Sequence, residues 1–402
     1  MTLSKIILIK LLILSVTTSC SASIEFSSHE RNFAIYIMYQ IVNRGNNGNL
    51  IFAPLSIWSL MAGVSFGATG ECRNQISSGL LIFNQDGTFI DDYKNLIESV
   101  LNNENKVTLE NVNFAFIDAS FSIKPEFRSV LMLNFGAVIK SIDFRDTNKA
   151  AVLANEAIKD SIATFTDVFR PEDFQESSII VSNAILFKGN WSMPFKKSNT
   201  ILKIFRDVND KQIGQVNMMH QRTQVYYSRF DEMGASIMEL PYADNDKYCM
   251  LLIFPYIGTT IDEVYRKFGI ITFHDIFDKL QNDVDVLGFK DINVELPRFR
   301  IKTSLVLNEV MKDAGIRHAF DPKLAAFDKL ANESIYIGTL EHKAYIEVTE
   351  SGTLAYATTP GHENDDISDS QIEAQRPFLF YILEKPTLTI IFGGAYTKQN
   401  LF

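Results

Sequence analysis

Residues 342–378 read HKAYIEVTESGTLAYATTPGHENDDISDSQIEAQRPF, and the fold is decided by where such a stretch could sit. It opens as a strand, because Ile346 and Val348 alternate with Tyr345 and Glu347 at the period of a half-buried β-strand. Glu350-Ser351-Gly352 reads as a hinge, with Gly352 free to take backbone angles closed to other residues. The next segment has two faces. Thr353, Ala355, Ala357 and Thr359 make one that is uniformly small, while Leu354, Tyr356 and Thr358 make the other. A strand with a small face suits a crowded position between two other strands. Beyond it, Pro360 to Ser370 is polar and acidic, the composition of a tip that proteases cut. Taken alone, the stretch reads equally well as a surface hairpin, so its surroundings decide.

The chain has 402 residues, 46% of them apolar and 21% charged, which is ordinary for a globular protein. A net charge of −10 speaks against nucleic acid and anionic surfaces as partners. The body of the chain holds no apolar run of about 20 residues, so no membrane span is expected. At the N-terminus, Lys5 precedes Ile6 to Ile9 and Leu11 to Val16, and small residues follow from Ser19 to Ser23. This pattern predicts a signal peptide over 1–22, hence secretion to the extracellular space. Cleavage there leaves Cys72 and Cys249, expected as two separate thiols rather than a disulfide framework.

Along the chain, Ser27 and Glu30 have capping-box spacing ahead of an apolar helix running to Val42. Pro54 opens a second helix whose stripe is Ile57, Leu60, Met61 and Val64. Val107 to Ile117 alternates as a strand, and Lys149 to Ile162 reads as a helix. Ile179 to Phe195 (IIVSNAILFKGNWSMPF) begins with an apolar run that suits a central strand buried on both faces.

These blocks, in this order, resemble the serpins. NLIFAPLSIWSLMAGVSFGATGEC (49–72), IIVSNAILFKGNWSMPF, VNMMH (216–220), Glu239-Leu240-Pro241-Tyr242 and Val294 to Arg300 match family segments, as do the HKAYIEVTESGT hinge and RPFLFYI (376–382). The resemblance covers about residues 28 to 397 and makes 23–402 one domain. It implies an α+β fold of eight or nine helices around three β-sheets, with an exposed reactive-centre loop over about 350–376. It also implies a structural latch of Ser56, Asn183 and His342, and Trp191 plugging the top of the central sheet. Leu354 and Tyr356 depart from the Glu and Ala usual in inhibitory members. Thr164 to Asp167 replaces a glycine-containing turn.

No catalytic motif is present: there is no G-x-S-x-G, H-E-x-x-H, phosphate-binding loop or C-x-x-C. No enzyme activity, metal or cofactor is therefore expected, and Asp91 to Glu98 is too acidic for a heparin-type site. The function implied by the resemblance is suicide-substrate inhibition of a serine-type or cysteine-type endopeptidase by a monomer. The alternative is a non-inhibitory binding, carrier or signalling protein. Counting fourteen residues from Gly352 puts the reactive bond at Asp366-Ile367, with Glu350, Gly352, Thr353, Ala355 and Ala357 as hinge. Seven Asp or Glu and no Lys or Arg lie between Ala344 and Gln375, which disfavours a trypsin-like target. Of two glycosylation sequons, Asn332 is the better placed, since Asn190 adjoins Trp191.

Overall fold

The computed structural model describes residues 26–44, 48–82, 88–101, 106–175, 177–243, 246–353 and 371–401. Among them lie nine α-helices and two hydrogen-bonded sheets, of six and nine strands. Three sheets were expected. Two of the three are continuous, because the long strand Gln212–Phe230 pairs with Ile201–Arg206 and Lys290–Pro297 along its first part and with Ala235–Tyr242 along its last.

The six-stranded sheet positions the site. Its order is Phe299–Val306, Ile337–Thr349, Gly352–Thr353, Ile179–Asn190, Val107–Asp118 and Ala137–Ile142. Ile179–Asn190 is covered on both faces, which explains its unbroken apolar run. Val181, Ile185 and Phe187 face the main core, whereas Ile180, Ala184 and Leu186 face a second cluster with the helix Thr147–Ser161. The helix Pro54–Ser65 touches both sheets, contacting Ile179–Asn190 of one and Thr389–Tyr396 of the other. The expected one-sided stripe is exceeded: all twelve residues of this helix are buried.

Tertiary contacts correct one local expectation and account for one departure. Ser27 and Glu30 make no capping box, since both lie inside the helix over 26–43. The Ser27 hydroxyl donates to the Thr387 carbonyl at 2.9 Å, Arg31 donates to the same carbonyl, and the Ile390 N–H donates to Glu30 at 3.2 Å. These residues dock the helix on the C-terminal hairpin. The turn Thr164 to Asp167 needs no glycine, because the Asn155 side chain accepts from the N–H groups of Val168 and Phe169 at 2.9 and 2.8 Å. Cys72 and Cys249 are buried free thiols, as expected.

Burial pushes the Glu30 carboxyl up to about 8, against the opposing pull of the Ile390 N–H and Arg31. Between an unfolded value near 4.5 and this one, the folded protein holds a proton that the unfolded chain releases. Stability is therefore lost as pH rises through this window, by about 1.4 kcal/mol per unit at most. Denaturant titrations should show that Glu30→Gln removes this slope and is more stable than the parent at pH 8. Parallel pH profiles for parent and variant would refute it.

Candidate functional site: a strand entering the central sheet

Ile337–Thr349 and Ile179–Asn190 run parallel and pair from Ile337↔Ile179 to Tyr345↔Leu186. Beyond Tyr345 they separate, and Gly352–Thr353 lies between them. Thr353 pairs antiparallel with Val348 on one side and Gly189 on the other, and Gly352 with Thr349 and Asn190. Gly352 has φ +144°, and a Cβ there would stand 2.1 Å from the Gly189 carbonyl oxygen. Only glycine allows this close approach.

The entry point is fastened by side chains predicted from the sequence and by others that were not. The Trp191 indole N–H donates to the Thr349 carbonyl at 3.0 Å, and its ring stacks on Tyr242 at 4.5 Å. Tyr242 and Thr353 share a hydroxyl–hydroxyl hydrogen bond of 2.7 Å, with Thr353 wholly buried. Glu350 is also buried, accepting from the Thr200 hydroxyl at 2.7 Å and facing Arg298 at 3.5 Å. The N–H groups of Trp191 and Phe195 donate to the carbonyls of Ser351 and Glu350. Tyr242, Thr200 and Arg298 carry no local sequence signal for this role, because each comes from a distant strand or turn.

The latch is present but wired differently from expectation. Ser56, Asn183 and His342 are all buried, and His342 pairs with Asn183 across the two parallel strands. They do not satisfy one another through their side chains. Asn111 stands between two of them, its Oδ1 accepting from Ser56 Oγ at 3.0 Å and from Asn183 Nδ2 at 2.7 Å. Asn183 Nδ2 also donates to Asn113 at 3.0 Å. His342 Nε2 accepts from the Ala53 N–H at 3.0 Å, just before the helix Pro54–Ser65. Two atoms of this pair are buried without a partner: Asn183 Oδ1 and His342 Nδ1.

Asn332 is exposed in a turn, as a glycan acceptor requires. Ala355, Ala357, Asp366, Ile367 and the leader over 1–22 lie outside the described residues. Among the described residues, no His, Cys, Asp and Glu cluster could hold a metal ion, and no helix is long and apolar enough to cross a membrane.

The parallel strand pair is thus parted at one end by the start of the connection that follows it. The chain belongs to the serpin (serine protease inhibitor) family, whose model matches residues 28–399. It is 28% identical to Iripin-2 of Ixodes ricinus over 364 residues, 88% of this chain and 89% of the relative. It is 26% identical to the human leukocyte elastase inhibitor over 386 residues, 93% of this chain and 99% of the relative. Among solved structures, Serpin48 of the insect Tenebrio molitor superposes with a TM-score of 0.78 at 22% identity, covering 94% and 98% of the two chains. Human thyroxine-binding globulin superposes with a TM-score of 0.81 at 23% identity, covering 93% and 98%. The family thus includes relatives named as protease inhibitors, and the fold extends to a protein that binds thyroxine.

Burial, with a smaller contribution from Lys343, pulls the His342 ring down to about 3. Below about pH 6.5 the unfolded chain takes up a proton that the folded latch refuses. Stability should therefore fall from pH 6.5 towards 3 by about 1.4 kcal/mol per unit at most from this group. His342→Gln, compared with the parent by denaturant unfolding, should be less stable at pH 7 but have a flatter acid limb. An unchanged acid slope would place the titration elsewhere.

Proposed function

We propose that this chain is a secreted inhibitor that traps an endopeptidase by loop cleavage and strand insertion. The observation carrying the reading is the seating of Gly352–Thr353 between Ile337–Thr349 and Ile179–Asn190, in register with both. Continuing that register would set residue 355 between Phe187 and Ile346, 357 between Ile185 and Ala344, and 359 between Asn183 and His342. The first four flanking residues belong to the main core. The small face of Thr353, Ala355, Ala357 and Thr359 would thus meet the crowded side. Inserted this way, the segment exchanges one parallel ladder for two antiparallel ones.

The register also supplies a reason for Thr359. His342 Nε2 accepts from Ala53, so the neutral ring carries its proton on Nδ1, a donor without an acceptor. Asn183 Oδ1 is an acceptor without a donor. One hydroxyl between them could accept from the first and donate to the second. An unpaired buried polar group costs about 1–3 kcal/mol, so filling both vacancies favours the inserted state.

In the reaction, the target's serine oxygen attacks the Asp366 carbonyl, the peptide bond to Ile367 breaks, and an ester joins enzyme to loop while Ile367 becomes a new amino terminus. Fourteen inserted residues carry the ester on the order of 45 Å. Drawing it out of the oxyanion hole stalls hydrolysis. The uncleaved form is then a kinetic trap rather than the free-energy minimum. The acidic loop calls for a specificity pocket carrying Arg or Lys. Secretion rests on the leader over 1–22, and Asn332 is the glycan acceptor. A carrier or signalling role is the second reading, favoured by Leu354 and Tyr356 in place of the residues usual in inhibitors.

Nicking the chain between Pro360 and Ser370 should raise the melting temperature by tens of degrees, and Thr359→Val should reduce that gain. Thr353→Arg should abolish both the gain and inhibition while cleavage continues. A nicked protein that melts with the parent would hand the function to the carrier reading. Separately, Asp366→Arg should redirect the protein to trypsin-like enzymes, with the new amino terminus at Ile367. A terminus found elsewhere would move the reactive bond.

A further inference from the structure

Met193 stands in the bend that follows the strand Ile179–Asn190, and two contacts fasten it there. Its carbonyl accepts from Gln221 Nε2 at 3.2 Å, and its sulfur accepts from the Thr223 hydroxyl at 3.1 Å. Gln221 and Thr223 are both buried, two residues apart on the strand Gln212–Phe230. Met193 itself remains 55% exposed. We infer that Met193 is a modification site, oxidised by a peroxide to a single epimer of methionine sulfoxide that loosens the clamp on the hinge.

Of the methionines among the described residues, only Met132 and Met193 are exposed; the rest lie in the core, away from a dissolved oxidant. In the reaction a sulfur lone pair attacks one peroxide oxygen and the O–O bond breaks. The second oxygen takes the proton of the first and leaves as water, so that sulfur is oxidised by two electrons and the peroxide is reduced. A thioether has two lone pairs, and at Met193 they are not equivalent. The Thr223 hydroxyl engages one of them. An oxygen added on that side would fall between atoms 3.1 Å apart, less than an S–O bond and a hydrogen bond together require. The other lone pair is left to the oxidant, which fixes the configuration at sulfur. Met132, on the helix Pro125–Phe135, has no such contact among the described residues, so both of its lone pairs are open.

The residues on either side of Met193 hold the hinge. The Trp191 N–H donates to the Ser351 carbonyl at 3.1 Å, and the Phe195 N–H donates to the Glu350 carbonyl at 2.8 Å. Oxidation draws electron density from sulfur and so removes the acceptor of the buried Thr223 hydroxyl. For that hydroxyl to reach the new oxygen, the Met193 side chain must turn, and the short segment 191–195 must shift with it. Both hinge bonds are carried by that segment, so they weaken together. A reductase that removes the oxygen restores the contact. None of this requires the loop to insert.

Brief treatment of the full-length protein with hydrogen peroxide, followed by peptide mapping, tests it. Met132 and Met193 should each gain one oxygen while the buried methionines stay reduced. The peptides are then divided between the two methionine sulfoxide reductases, each of which reduces one epimer. Each enzyme alone should restore a substantial share of Met132, whereas one should restore nearly all of Met193 and the other nearly none. In Thr223→Val, Met193 should instead divide between them as Met132 does. Hydrogen–deuterium exchange at the Trp191 and Phe195 amides should quicken about two- to tenfold after peroxide, the range for loss of one hydrogen bond. The same treatment should leave these amides unchanged in Met193→Leu. Met193 resisting peroxide while Met132 reacts, both epimers at Met193 in the parent, or exchange unaltered by oxidation would overturn the assignment.

Discussion

The structure depends on a parallel strand pair that is hydrogen-bonded from Ile337 to Tyr345 and held apart above that point by two residues, Gly352 and Thr353. Pairing between Ile337–Thr349 and Ile179–Asn190 could in principle continue upward. It stops because a backbone antiparallel to both strands occupies the gap, and only the missing Cβ of Gly352 lets that backbone pass 189 and 190. Trp191, Tyr242 and Glu350 then fix the wedge from outside. The sheet is paired directly below and spaced by the wedge above, and the same two strands meet both conditions.

Below the wedge, the strands are joined by polar chemistry that is only partly satisfied. A seam of pure Val, Ile and Leu would hold the pair closed with nothing to gain from parting. Here Asn183 and His342 sit side by side in the core, each with one atom unpaired. Asn111 and the Ala53 N–H satisfy the rest, tying the seam to the strand Val107–Asp118 and to the start of the helix Pro54–Ser65. The two unpaired atoms leave a residual cost at this position of the closed pair.

Much of this was legible because the physical demand was local. Gly352 announced a turn of special backbone geometry, the small Thr353 suited its crowded seat between two strands, and the unbroken run of 179–187 announced a strand covered on both sides. The latch was legible only in part. Ser56, Asn183 and His342 belong to it, yet Asn111 and Asn113 complete it. A signal existed: Val107, Leu109, Ala115 and Ile117 form the core stripe of that strand, and both asparagines occupy the same alternating positions. Ser27 and Glu30 failed in the opposite sense. Their spacing satisfied a local rule, but partners about 360 residues away in sequence claimed the same side chains.

The bulky face of the hinge segment bears on how far insertion could proceed. Continuing the observed register, Leu354 would emerge between Lys188 and Glu347, Tyr356 between Leu186 and Tyr345, and Thr358 between Ala184 and Lys343. Ala184 and Leu186 lie in the cluster shared with the helix Thr147–Ser161, whose buried residues are Ala150, Ala151, Ala154 and Ile158. An alanine-rich underside presents little side chain to clash with what comes up through the sheet, and a ring placed there gains apolar cover. In that register Leu354 and Tyr356 would fall on the side away from the main core. On the core side, the same register would set only alanine and threonine beside Phe187 and Ile185, both members of the main core.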